Sequence, residues 1–210
     1  MTLLSEIFTD WWPALLAYVV GATPFGFLAG KLKGIDIRDH GSGNIGATNV
    51  LRTLGKPIGI TVLVFDVAKG MVPVIIAKIF SDSSLVHIAT AAAAILGHNY
   101  TFWLRFKGGK GIATTGGAIA PIIPIALVSA VLLWIIFLRM TRYVSVASLV
   151  AAITIPSVVA IESLIRKQWD LPVLFLAIFV CILAFWKHRA NIGRLRRGEE
   201  NRFQRKSSAS

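Results

Sequence analysis

Ile112-Ala-Thr-Thr-Gly-Gly-Ala-Ile-Ala-Pro121-Ile-Ile-Pro124-Ile-Ala-Leu-Val-Ser-Ala-Val-Leu-Leu-Trp134-Ile-Ile-Phe-Leu138 is uncharged from end to end, and the fold turns on whether it crosses a bilayer once or twice. A crossing helix takes about 20 apolar residues, within a range of about 17–25. No Lys or Arg precedes residue 31, so the N-terminus is expected outside. If residues 112–138 formed one helix, the tail carrying Lys187, Arg189, Arg194, Arg196, Arg197, Arg202, Arg205 and Lys206 would then also end outside. That arrangement opposes the rule that cationic loops stay in the cytoplasm. Two crossings broken near Pro121 and Pro124 return the chain to the cytoplasm at Arg139 and Arg142. The expectation is therefore an all-α integral membrane protein with about seven transmembrane helices, N-terminus outside, C-terminus cytoplasmic, and glycine-rich loops at the cytoplasmic face. Its fourth helix is short and rich in Gly and Ala, and needs protein or water around its backbone.

The rest of the chain agrees with lipid as solvent. Apolar runs over about 11–31, 57–80, 144–165 and 171–188 are long enough to cross, and a shorter one over 85–97 extends through Trp103. Trp11, Trp12, Trp103, Trp169 and Trp186 fall near the ends of these runs, where an aromatic belt belongs. The 210 residues are 55% hydrophobic and carry a net charge of +12. A basic membrane protein needs no nucleic acid to explain its charge, and no recognition helix or zinc spacing is present. The single cysteine, Cys181, excludes a disulfide framework and a thiol metal site. Glu6 and Asp10, with no basic residue ahead of the first apolar run, make that run a retained span rather than a signal peptide. We expect one polytopic domain over 1–190 and a basic cytoplasmic tail over 191–210, with Ser207–Ser210 disordered.

Three polar segments interrupt the apolar pattern. The first, His40-Gly41-Ser42-Gly43-Asn44-Ile45-Gly46-Ala47-Thr48-Asn49, formally matches a dinucleotide fingerprint. That match misleads, because the fingerprint needs a βαβ unit and Asp66, twenty residues after Gly46, lies in an apolar helix. The physical reading is a phosphate-cradling turn: glycines Gly41, Gly43 and Gly46 free the backbone N–H groups, Ser42, Asn44, Thr48 and Asn49 add side-chain hydrogen bonds, and Arg38 or Arg52 adds charge. The second, His98 and then Phe106-Lys107-Gly108-Gly109-Lys110-Gly111, lacks the nucleotide P-loop spacing, so ATP is not implied. Its two lysines in a turn that opens a helix suit a phosphate, or else anchor the loop by snorkelling. The third, Lys187-His188-Arg189-Ala190-Asn191, follows the last span; as a bare charge run it is a solvated anchor, yet His188 and Asn191 share one side if the helix continues. Asp66 and Lys69, three apart inside a span, read as a structural ion pair, with an ion pathway as the alternative.

These residues resemble a known family, the bacterial acyl-phosphate:glycerol-3-phosphate acyltransferases of the PlsY type. The likeness covers nearly the whole chain. It runs from Pro24-Phe25-Gly26 through Asp36-x-Arg38, Gly41-Ser42-Gly43-Asn44-x-Gly46-Ala47-Thr48-Asn49-x-x-Arg52 and Asp66 to Gly70. It continues with Gly97-His98, Lys107-Gly108-Gly109-Lys110-Gly111 and His188-Arg189-x-Asn191-Ile192-x-Arg194-Leu195. Thr101 stands where the family pattern has proline. The resemblance implies transfer of a fatty acyl group from acyl phosphate to the 1-hydroxyl of glycerol 3-phosphate, giving lysophosphatidic acid and inorganic phosphate. It implies a bacterial cytoplasmic membrane, membrane lipid and the enzyme that makes acyl phosphate as partners, and no cofactor or metal.

On that reading Ser42, Lys107, Lys110, His188 and Asn191 are catalytic. Arg38, Gly41, Gly43, Asn44, Gly46, Thr48, Asn49, Arg52, His98, Gly108, Gly109, Gly111 and Arg189 bind substrate. None of His40, His87, His98 and His188 has an aspartate five residues on, so the His-x-x-x-x-Asp base of other glycerolipid acyltransferases is missing. The proton of the attacking hydroxyl goes either to the substrate's own phosphate or to His188. A small transporter of an organic phosphate is the rival reading, since broken helices and intramembrane charges suit a permeation path too. Against it, the chain shows no internal repeat.

Overall fold

A computed structural model describes residues 3–203, with side chains from residue 11 onward. Arg205, Lys206 and the expected disorder of Ser207–Ser210 lie outside the described residues. Every regular element among the described residues is helical, and the chain divides into two compact units, Met1–Pro124 and Ile125–Ser210.

The first unit contains α1 (Leu3–Gly21), α2 (Phe25–Leu32), α3 (Ala47–Leu54), α4 (Lys56–Phe80), α5 (Ser84–Asn99) and α6 (Ile112–Ile119). The single run expected over 11–31 is in fact broken at Ala22-Thr23-Pro24. Pro24 lacks an N–H and its ring disfavours helical geometry at Thr23, so the hydrogen-bond ladder stops. Two side chains from elsewhere repair the gap. Thr101 Oγ1 donates to the Ala22 carbonyl and Lys69 Nζ to the Thr23 carbonyl, the latter at 2.8 Å. Non-helical backbone at membrane depth survives only with such partners.

The expected break in residues 112–138 is present, between α6 and α7 (Pro124–Thr141). Eight residues give α6 a length of about 12 Å, against about 30 Å of hydrocarbon. It runs parallel to the second half of α4: a Cβ on Gly70 would strike the Thr114 carbonyl, one on Gly117 would strike the Val67 carbonyl, and further along Lys78 Nζ donates to the Pro121 carbonyl at 2.8 Å. The two glycines thus permit the backbone-to-backbone approach that small residues provide in membranes. α6 begins halfway along α4 and ends near the same end as α4.

The second unit contains most of α7, then α8 (Val144–Arg166), α9 (Leu171–Lys187) and α10 (Arg189–Arg196). α8 packs against α9. Asp170 caps α9 by accepting from the Val173 N–H at 3.1 Å, and the chain bends by 54° at His188 into α10. After α10 it folds back: the Phe203 N–H donates to the Arg142 carbonyl at 2.7 Å, and Arg202 Nε to Tyr143 Oη at 2.9 Å. Residues 191–203 are therefore packed into this unit. Among the described residues, Trp11–Leu32, Lys56–Phe80, Pro124–Thr141 and Val144–Arg166 are long and apolar enough to cross a membrane, and α9 with α10 makes a fifth candidate.

Candidate active site

The first glycine segment is a loop tied down from the helix that follows it. Gly46 starts α3, and its N–H is taken by Asn44 Oδ1 at 2.8 Å, a short side-chain turn of the kind asparagine favours. One helical turn on, Asn49 is buried and its amide is spent entirely on the loop. Its Nδ2 donates to the carbonyls of Ile37 (3.1 Å) and His40 (2.9 Å), while its Oδ1 accepts from the Ser42 N–H at 2.8 Å. Asn49 therefore shapes the loop from beneath. Ser42 is exposed on it, and Thr48 and Arg52 are exposed on α3. Gly41 and Gly43 hold φ values of 61° and 69°. Arg38 forks onto Asp36, Nε to Oδ1 at 2.9 Å and Nη2 to Oδ2 at 2.7 Å. Those bonds hold the Asp36 carboxyl well below the usual carboxylate range. Arg38 is thereby committed to Asp36 on two of its nitrogens, whereas Arg52 has no ion pair among the described residues.

The second segment is seated on the end of α5. The Gly109 N–H donates to the His98 carbonyl at 3.1 Å, and a Cβ on Gly109 would collide with His98 Nε2, so only glycine lets the loop lie on the imidazole. Gly108 and Gly111 lie against Asn99. His98 itself is buried, with Nδ1 3.2 Å from Thr114 Oγ1 on α6 and 3.7 Å from Asp66 Oδ1 on α4. Asp66 and Lys69 form the expected ion pair at 2.7 Å, buried on both sides. One network thus links the α1–α2 break, α4, α5, α6 and the glycine turn. Lys107 is exposed beyond it and Lys110 is half-buried. The two segments belong to one end of the unit, because Leu104, from the turn before Lys107, sits in the same apolar cluster as Ile37, Ile45 and Val50 around the first loop.

In the second unit, His188 and Asn191 are both buried. His188 Nδ1 lies 2.8 Å from the Ala184 carbonyl, an acceptor, so this nitrogen carries the proton. Asn191 Nδ2 donates to Glu200 Oε1 at 2.6 Å, Ser145 Oγ donates to the same oxygen at 2.8 Å, and Arg194 Nε donates to Oε2 at 2.8 Å. Burial opposes ionisation of Glu200, but these three donors outweigh it and hold its carboxyl below the ordinary range. Arg189 is exposed and turned onto Trp186, its Nη1 3.0 Å from the Trp186 carbonyl. Glu200 escaped the reading of the sequence. Its signal was an acid set among Arg194, Arg196, Arg197 and Arg202, a place where a carboxylate finds partners.

Comparison with known proteins decides the family. The family model described as glycerol-3-phosphate acyltransferase matches residues 11–198. The chain belongs to the glycerol-3-phosphate acyltransferase family. Acyltransferases so named from Geotalea daltonii and Desulforudis audaxviator are each 47% identical over 189 residues, covering 90% of this chain and 95% and 92% of theirs. The crystal structure of PlsY (YgiH), an integral membrane glycerol 3-phosphate acyltransferase, in its glycerol 3-phosphate form superposes with a TM-score of 0.86 at 40% identity, covering 92% of this chain and 94% of that one. A lysophosphatidic acid form of the same acyltransferase gives 0.83. Membership of an acyltransferase family favours the enzyme over the transporter.

Proposed function

We propose that this chain transfers a fatty acyl group from acyl phosphate to the 1-hydroxyl of glycerol 3-phosphate, forming lysophosphatidic acid and inorganic phosphate. The observation that carries the reading is the apolar cluster shared by Ile37, Ile45, Val50 and Leu104, which sets two cationic glycine loops at one end of a helical membrane unit. Both substrates end in phosphate and one carries a tail that stays in lipid, which is what such an arrangement accommodates. The family relationship and the glycerol 3-phosphate and lysophosphatidic acid forms of the PlsY structure support the same substrates.

In this reading Ser42, Thr48 and Arg52 hold the phosphate of glycerol 3-phosphate, with Asn49 fixing the loop beneath them. Lys107, Lys110 and the N–H groups of the second turn stabilise the leaving phosphate and the oxyanion that develops on the acyl carbonyl. The 1-hydroxyl oxygen bonds to the acyl carbon as the carbon–oxygen bond to phosphate breaks, and the hydroxyl proton passes to the substrate's phosphate or to His188. With Nδ1 protonated, a neutral His188 has its lone pair on Nε2. Asn191 and Arg189 complete the functional set. The loops face the cytoplasm of a bacterial inner membrane, the chain makes seven crossings with α6 as a half-length member, and acyl phosphate arrives from the enzyme that makes it.

The test is incubation of purified protein in lipid nanodiscs with radiolabelled glycerol 3-phosphate and palmitoyl phosphate. Lysophosphatidic acid and inorganic phosphate are expected in equal amounts, without nucleotide or added metal. Product formed from acyl-CoA or acyl carrier protein but not from palmitoyl phosphate overturns the donor assignment.

A further inference from the structure

The turn between α5 and α6 carries a feature that phosphate binding leaves unused. Phe102 and Trp103, in the short 3-10 turn Phe102–Leu104, and Phe106 just after it are 38%, 63% and 60% exposed. They are not scattered. Phe102 packs against the Tyr18 ring at 6.3 Å and the Trp103 ring at 4.8 Å between centroids. The Phe106 N–H donates to the Thr101 carbonyl at 2.9 Å and the Lys107 N–H to the Leu104 carbonyl at 3.0 Å, which closes the turn and returns Phe106 beside Thr101. Arg105 and Phe106 hold φ values of 53° and 61°, a left-handed conformation that is costly for residues with a side chain. A chain needing only a connection would place glycine there, as it does at Gly111, whose φ is 77°.

Charge and position narrow what the ledge receives. Arg105 is exposed on it, and the turn from residue 100 to 111 contains Arg105, Lys107 and Lys110 and no Asp or Glu. Phe106 is followed at once by Lys107-Gly108-Gly109-Lys110. Aromatic surface therefore adjoins a phosphate-binding turn with no spacer. A diacyl phospholipid separates its phosphate from its tails by a glycerol backbone, whereas an acyl phosphate joins the two through one carbonyl.

Building on the proposed donor, we infer that Phe102, Trp103 and Phe106 form a subsite for the first methylenes of a single-tailed anionic amphiphile whose phosphate meets the Lys107–Lys110 turn. Arg105 draws that amphiphile in by charge.

Dodecyl phosphate, which has no transferable acyl group, tests this on the full chain in nanodiscs. It should shift the tryptophan emission of the wild type, and Trp103→Phe should remove that shift although five other tryptophans remain. In turnover, Trp103→Ser and Phe106→Ser should each raise KM for palmitoyl phosphate about tenfold, with KM for glycerol 3-phosphate and kcat/KM for butyryl phosphate changed less than about twofold. Equal effects on the long and short donors, or no emission response in a wild type that turns over, would assign the ledge to bulk lipid and overturn the subsite. A wild type that binds dodecyl phosphate through Trp103 yet makes no product from any acyl phosphate would keep the ledge and sink the donor assignment instead.

Discussion

Ser42 and Asn49 sit seven residues apart, joined by one hydrogen bond, and do opposite work. Ser42 is exposed, so Ser42→Ala should leave the melting temperature of the micelle-solubilised protein in place while lowering kcat/KM. A lost hydrogen bond to the charged phosphate of glycerol 3-phosphate costs about 1.5–3 kcal/mol. Asn49→Leu strands two carbonyls and one N–H, each worth about 1–3 kcal/mol when buried. It should lower melting temperature and activity together, and a Ser42→Ala variant with full activity would sink the assignment of the loop. From the sequence both residues looked like ligands. The distinction was hidden because the Asn49 partners lie nine and twelve residues upstream in a turn whose path no periodicity reveals. Glu200 was hidden by a longer gap, with Ser145 55 residues earlier. Its carboxyl titrates below the ordinary value of 4.5 in the folded chain. The stabilisation it supplies is therefore fully present above that value and disappears as pH falls through the lower folded pKa. Melting curves taken from pH 7 down to pH 3 should decline over this acid range in the wild type and be flatter there in Glu200→Gln.

At the scale of the helix, α4 does more than cross lipid. Its Lys69 and Lys78 donate to Thr23 and Pro121, the carbonyls freed where two other helical runs are interrupted by proline. One break was legible, since Pro121 and Pro124 interrupt a run too long for one crossing and too short for two full ones. The other was not, because Pro24 lies inside a run of ordinary length and its repair comes from residues 46 and 79 positions away. The two lysines should differ in consequence. Lys69→Met leaves Asp66 buried without its ion-pair partner, a loss of about 3–5 kcal/mol. Lys78→Met removes one exposed hydrogen bond, worth about 1 kcal/mol. Thermal melts in micelles check the ranking, and equal losses would mean that the buried pair is not what holds the α1–α2 break.

For the molecule as a whole, charge placement argues the orientation. Lys31, Lys33, Arg38, Arg52 and Lys56 flank the first glycine loop; Arg105, Lys107 and Lys110 lie in the second; Arg139 and Arg142 follow α7; and Lys187 onward fills the C-terminal segment. The opposite set of connections holds Arg166 and Lys167 beside Asp170, and Asp82 between α4 and α5. The orientation proposed above, with positive residues retained in the cytoplasm, puts the first group inside and the second outside. The half-length α6 is compatible with this, since it runs with α4 and ends near Lys78, two residues before α4 stops. In a Cys181→Ser background, single cysteines at Asp39, Arg105 and Arg196 should react with a membrane-impermeant maleimide only in inverted vesicles. Cysteines at Asp82 and Lys167 should react in intact cells. Labelling of Asp39 and Arg196 from opposite sides would place His188 and Asn191 across the membrane from Ser42, and an acyl transfer that needs all of them could not run at one face.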